Sequence, residues 1–143
     1  MDAPISNLQQ LLHSLNPVLN PGIYVYCTIP NRTEIPALPS LGQFREAEGM
    51  SLILAEEVAL EAGLKILFRA AWISLKVHSD LSAVGLTAAV STALAAKEIP
   101  CNVVAGAFHD HLFVPVEDVE EAMICLQNIH GSVGLQSHIR KRN

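Results

Sequence analysis

Trp72-Ile73-Ser74-Leu75-Lys76-Val77-His78 alternates cleanly, with Ile73, Leu75 and Val77 on one face of an extended chain and Ser74, Lys76 and His78 on the other. Successive side chains of a strand point to opposite faces, so this spacing predicts a strand with one buried side. Downstream, Ser82 is a predicted N-cap for a helix from Ala83 to about Lys97. Leu86, Val90 and Leu94 form its apolar stripe, while Ala88, Ala89, Ala93 and Ala95 are small enough to lie close on a sheet. Pro100 ends that connection. Cys101 to Ala105 reads as a strand, Ala107 to Asp110 as a turn, and His111 to Val114 as a returning strand. A last helix is predicted from Glu117 to about Asn128, with Val119, Ala122, Met123, Leu126 and Ile129 on its buried face. Its acidic residues cluster at the N-terminal end, where the helix dipole favours them. The order β-α-β-β-α is a ferredoxin-like βαββαβ unit that lacks its final strand.

Working toward the N-terminus, Leu64 to Ala71 reads as a strand that runs almost directly into Trp72. Ala55 to Ala62 reads as a two-turn helix closed by Gly63, and Ser51 to Leu54 as a short apolar strand. Gln43 to Glu48 is a short strand ending in a Glu48-Gly49 turn, and Pro30 to Gly42 a proline-containing loop. Ile23 to Ile29 is a strand by its β-branched and aromatic content. Ile5 to Leu15 is a helix stopped by Asn16-Pro17. The first half therefore has strands to spare and the second lacks one. The expected fold is α+β, with two ferredoxin-like halves that share or complete each other's antiparallel sheets. The expected division is residues 1–70, 71–130 and a patternless tail, 131–143.

Composition narrows the function classes. The chain has 143 residues, a formal net charge of -5 and 50% hydrophobic residues, which suits one cooperative globular unit. The acidic balance argues against a duplex nucleic-acid partner, which needs a basic patch. No apolar run approaches the roughly 18–20 residues of a membrane span, and the N-terminus has no secretory pattern. Cys27, Cys101 and Cys125 form no CxxC pair and read as reduced thiols, consistent with a cytoplasmic location. Nucleophile elbows, P-loops, dinucleotide fingerprints and HExxH are all missing, so the expectation is a binding protein, not an enzyme, with no cofactor.

The run from Trp72 to Ser79 resembles the opening of an ACT domain, and Val84-Gly85-Leu86-Thr87-Ala88, Cys101 to Gly106 and His109 to Pro115 continue the likeness. With Tyr24-Val25-Tyr26 and Phe44 to Gly49, the chain is similar to small stand-alone proteins carrying a tandem of ACT-like domains. Those proteins are related to the regulatory region of aspartokinase and are known as proteins of unknown function or possible transport proteins. The resemblance spans about Leu8 to Ile129. It departs at Asp80, Ser82 and Ala107-Phe108, near a turn that contacts ligand in such folds, which puts ligand identity in doubt more than fold. It implies a regulatory or sensing fold, ligands such as amino acids bound at an interface between two domains, and homo-oligomerisation or a partner enzyme.

Three segments are candidates for binding. The turn Ser79 to Gly85 precedes a helix whose first N–H groups lack intrahelical partners, so a ligand carboxylate fits there and Asp80 would take its ammonium group. Val84 belongs to this turn, and Gly85 would allow close approach; replacing it with a bulky residue is expected to leave folding largely intact. A capped helix with a packing glycine explains the same residues. Asn102 with the backbone of Val103, Val104 and Ala105 is the second segment, by analogy with the cleft-lining strand of related ACT pairs; an interior strand is the plain alternative. Arg45 would clamp a carboxylate, or else pair with Glu46 or Glu48. His109 and His111, with His78 on a neighbouring strand, would supply three nitrogen ligands to a metal, but ordinary turn chemistry accounts for His109-Asp110 and no metal is assigned. The expected function is binding of a small metabolite, an amino acid above all, with a protein-assembly module as the alternative and a small metal enzyme third.

Overall fold

The computed structural model describes residues 3–4, 7–31 and 38–129. In chain order the elements are α1 (Leu8–His13), β1 (Pro17–Leu19), β2 (Tyr24–Ile29), β3 (Gly42–Arg45), β4 (Met50–Ala55), α2 (Glu56–Glu61), β5 (Phe68–Leu75), α3 (Leu86–Ala95), β6 (Asn102–Ala105), β7 (Asp110–Pro115) and α4 (Val119–Gln127). A single 3-10 turn, Val116–Asp118, leads into α4.

The strands form one antiparallel sheet in the order β3-β4-β2-β5-β7-β6. β5 is its spine. One edge pairs with β7 from Ala70 to Leu75. The other edge is divided: Phe68–Ala70 pairs with β2, and Ile73–Leu75 with β1. The first ferredoxin-like half is thus β2, β3, β4, α2 and the start of β5. The second is β5, α3, β6, β7 and α4, and β1 supplies the strand its own sequence lacks. β5 belongs to both, so the boundary expected at residue 70 falls inside this strand.

β1 escaped the sequence reading. It has three residues and opens on Pro17, whose missing N–H costs nothing at the first position of a strand. Asn16 O accepts from the Lys76 N–H and Trp72 O from the Asn20 N–H, both at 2.9 Å, which extends the pairing on either side. The alternation expected through His78 continues as a strand only to Leu75, where the partners on both edges end. Likewise Leu64–Leu67 is not strand; β5 begins at Phe68. α3 begins at Leu86, not Ala83. Asp80 holds the Ser82 N–H through Oδ1 at 2.7 Å, and the Ala83 N–H through its carbonyl at 2.9 Å, so these residues form a tight turn and Ser82 is not a cap.

Both hydrophobic clusters lie on the same face of the sheet, because the register sets Val25 of β2 opposite Arg69, two residues before Ala71. One cluster joins Val25, Cys27, Leu52 and Leu54 to Ala59 of α2. The larger joins Ile73, Leu75, Leu112 and Val114 to Leu86, Val90 and Leu94 of α3, to Ala122 and Leu126 of α4, and to Leu11 and Leu12 of α1. Leu11 is 0% exposed. The N-terminal helix and β1 therefore pack and pair with the second half.

The other face carries Tyr26, Phe68, Trp72, Phe113 and His111, yet Phe113 is fully buried. The sheet curls around it. Ile53 of β4 and Val104 of β6 are four strand steps apart, roughly 19 Å in a flat sheet. Here they line the same cavity of about 90 Å³. Tyr26 stacks edge-to-face on Phe113 at 5.8 Å between centroids. Burial in this interior, with a smaller contribution from Cys101, pushes the Tyr26 phenol up to about 12.

Candidate functional site

The connection from β5 to α3 forms one wall of a pocket of about 170 Å³, lined among others by Ser79, Asp80, Gly85, Thr87, Ala105 and Asp110. Gly85 has φ +103 and offers no side chain to cap the helix, so the first-turn N–H groups of α3 are left without a side-chain cap. Asp110 enters from the start of β7, and its Oδ2 accepts from the Oγ of Ser79, which is buried, at 3.1 Å. Uncapped N–H groups favour an anion. Two carboxylates, Asp80 and Asp110, favour a cation beside it. The combination matches a zwitterion better than either charge alone.

The structure distributes the sequence candidates over three places. Asp80 and Gly85 line this pocket. Val84, in the same turn, is 84% exposed and does not. Val103 packs half-buried against the larger cluster. Asn102 and Val104 alternate to the opposite face, paired with Phe113 and His111 of β7. Arg45 ends β3, at the far edge of the sheet order from β6, and is exposed. Gly85 is not open to a ligand on its side-chain face: a Cβ there would lie 3.0 Å from Leu8 Cδ2, so α1 makes the close approach. Its positive φ also means that a side chain would strain the fold, contrary to the expectation that folding would stay largely intact. Ser79 and Ala105, from the two candidate segments, also line the pocket, and Leu86, Thr87 and Asp110 join them from outside those segments. The sequence signal for Asp110 was its place in the His109-Asp110-His111 run, where it read as a turn residue.

That run sends its three side chains to different partners. His109 Nδ1 lies 3.5 Å from Val77 O, Asp110 binds Ser79, and His111 Nδ1 is 3.0 Å from both Trp72 Nε1 and Ser74 Oγ. Among the described residues no group of three His, Cys, Asp or Glu side chains is placed to hold a metal ion. The indole N–H can only donate, so Nδ1 of His111 is an acceptor and the imidazole carries its proton on Nε2. Ser74, 1% exposed, also accepts from Asn20 Nδ2 at 2.9 Å. Burial, then the charges of His109 and Lys76, lower the His111 pKa from its ordinary value; Asp110 opposes this in part.

A larger groove of about 560 Å³ lies between α3 and α4, lined by Ala89, Ala93, Ala96, Lys97, Glu121 and Ile124 among others. Its lining mixes small apolar side chains with the polar or charged Thr92, Lys97, Glu121 and Asn128. No helix among the described residues is long and apolar enough to cross a membrane.

Comparison with known proteins places these features in a family. Two ACT-domain family models match, over residues 3–71 and 68–128, and their overlap falls within β5. A protein of unknown function from Vibrio cholerae, described as a possible transport protein, is 42% identical, with a TM-score of 0.77 over 86% of this chain and 95% of that one. A protein from Agrobacterium tumefaciens is 20% identical, with a TM-score of 0.66 over 81% of this chain and 89% of that one. The ligand-free regulatory subunit of aspartate kinase from Thermus thermophilus shares the fold at 14% identity, with a TM-score of 0.61 over 79% of this chain and 95% of that one. No curated protein matches. Two ferredoxin-like halves joined through one shared strand, each matched by the same family, show that this chain belongs to the ACT-domain family as a tandem pair.

Proposed function

We propose that this chain is a regulatory module that binds a free α-amino acid in the pocket between the Ser79–Gly85 turn and Asp110. The observation that carries this reading is the charge pattern of that pocket, uncapped helix N–H groups beside Asp80 and Asp110. The α-carboxylate would sit on the N–H groups of Leu86 and Thr87, and the α-ammonium between the two aspartates. The remaining space is small, so a short side chain fits best. The family supports a ligand-binding role, and the aspartate kinase regulatory subunits that share the fold make an amino acid the natural class to test.

A thermal-shift screen of the twenty amino acids at millimolar concentration tests this. A ligand that binds only the folded state raises the midpoint by mass action. Asp80→Asn and Asp110→Asn should each reduce the shift by removing a partner of the ammonium group. No shift with any amino acid would exclude the reading.

One observation favours a second reading, assembly with another copy of the chain: Ile124 is 61% exposed at the groove between α3 and α4. Light scattering on the wild type and on Ile124→Lys separates the readings, because only the assembly reading expects the substitution to change the mass in solution.

A further inference from the structure

In a complete ferredoxin-like unit the chain leaving the second helix returns as a strand beside the first one. Here that edge of β5 is closed to it: β1 holds Ile73–Leu75 and β2 holds Phe68–Ala70. The match of the second half to the ACT family also ends at residue 128. The segment that follows, residues 130–143, lies outside the described residues. Its point of attachment is defined, however. Asn128 and Ile129, the last described residues, both line the groove of about 560 Å³ between α3 and α4. Ile124 stands 61% exposed in that groove, beside the small side chains of Ala89, Ala93 and Ala96.

Charge is divided between this body and the segment. Residues 1–129 hold all fourteen acidic residues and only six of the nine basic ones; the other three are Arg140, Lys141 and Arg142. Four acids, Glu117, Asp118, Glu120 and Glu121, crowd the start of α4 and its lead-in turn, where no basic residue accompanies them. Glu121 lines the groove. Ahead of its basic triplet the segment carries three apolar side chains, Val133, Leu135 and Ile139.

We propose that residues 133–142 fold back along α4 and occupy this groove. Leu135 and Ile139 would cover Ile124 and the alanines of α3, and the basic triplet would lie over the acidic start of α4. The reach is sufficient. From Ile129 back to Glu117 is roughly 18 Å at 1.5 Å per residue, whereas the stretch from Ile129 to Arg140 spans up to about 36 Å when extended. A second copy of the chain is the weaker occupant on two counts. It offers an acidic body to an acidic helix start. It also has to compete with a segment tethered at the groove, whose effective concentration is on the order of millimolar. The groove shares no lining residue with the Ser79–Gly85 pocket, so this proposal and the amino-acid reading can fail separately.

Cys125 lines the groove and reports on its cover, while Cys27 and Cys101 lie outside it. Alkylation of the full chain by iodoacetamide, a neutral reagent, can be followed at each cysteine by peptide mass spectrometry. Two variants are compared with the wild type: Arg140→Glu/Lys141→Glu/Arg142→Glu, and Leu135→Ser/Ile139→Ser, which leaves the charge unchanged. Neither alters a residue of the two hydrophobic clusters. Both should speed modification of Cys125 several-fold and leave Cys101 at its wild-type rate. An unchanged Cys125 rate in both variants overturns the proposal, and so does an equal acceleration at Cys101, which would report general loosening. Protection of Cys125 that grows with protein concentration, together with a dimer mass in light scattering, would assign the groove to a second copy and overturn it as well.

Discussion

The Trp72 indole donates its N–H to Nδ1 of His111 across 3.0 Å, between adjacent strands, with the ring centroids 5.7 Å apart. This contact assigns the tautomer of His111 and makes its protonation unfavourable, because a second N–H would then face the indole. Its folded pKa lies below the ordinary 6.5, from burial first and then from His109 and Lys76. The unfolded chain thus binds a proton at a higher pH than the folded one. The contribution to stability is present above pH 6.5 and is lost as pH falls from there toward the folded value. Urea unfolding at pH 7.5 and at pH 5.5 should show lower stability at the acid point, with a smaller difference in His111→Phe. An equal pH dependence in both proteins would contradict this account.

Gly85 sits at φ +103 with Leu8 of α1 against its side-chain face. Gly85→Ala is expected to destabilise by about 1–3 kcal/mol, the usual range for a non-glycine residue held in such a conformation. Adding Leu8→Ala should relieve the steric part and leave the backbone part, so a double-mutant cycle in urea would give a measurable coupling. Additive effects would mean that the 3.0 Å approach has no energetic consequence.

Leu11 is completely buried in the cluster of the second half although it lies some sixty residues away in sequence. Leu11→Ala should cost about 2–5 kcal/mol. Hydrogen exchange should then accelerate first in α3, α4 and β7, not in β2–β4. The reverse pattern would show that α1 stabilises the first half.

Arg69 and Glu56 form an ion pair on the helix-bearing face, at 52% and 20% side-chain exposure. The hydrogen bond from Arg69 holds the Glu56 carboxyl below its ordinary 4.5. The associated stabilisation is present above that value and fades as pH falls through the folded value. Arg69→Ala should therefore lower stability slightly at neutral pH and low salt. In 1 M salt, where the screening length is about 3 Å, wild type and variant should converge. A difference that survives high salt would point to packing by the arginine stem.

Much of the second half was legible in the sequence because its elements are amphipathic with simple periods. Ile73 and Leu75 alternate into the core as the spacing required, and Leu86, Val90 and Leu94 form the buried stripe of α3. The missing last strand was also legible, as was the need for the first half to supply one. Which residues supply it was not. Pro17–Leu19 is too short to show alternation and becomes a strand only because the edge of β5 beyond Ala70 is unoccupied by β2.

The sites divide along the same line. The Ser79–Gly85 turn was visible because a strand, a turn and a helix start follow one another within a few residues. Its partner Asp110 joins through a hydrogen bond spanning 31 positions, and nothing local marks that. The cavity beneath Trp72 is farther still from any local signal. It exists because the sheet curls until Ile53 and Val104, on strands four steps apart, share one space. The sequence by itself determined the elements, their faces, the family and the incompleteness of the second half, since these depend on periodicities of two and 3.6 residues. Only the tertiary structure decided that one strand serves both halves, that α1 closes over Gly85, and that Nδ1 of His111 meets Trp72 and Ser74. Each of these depends on residues distant in sequence meeting across the sheet, which register and curl alone control.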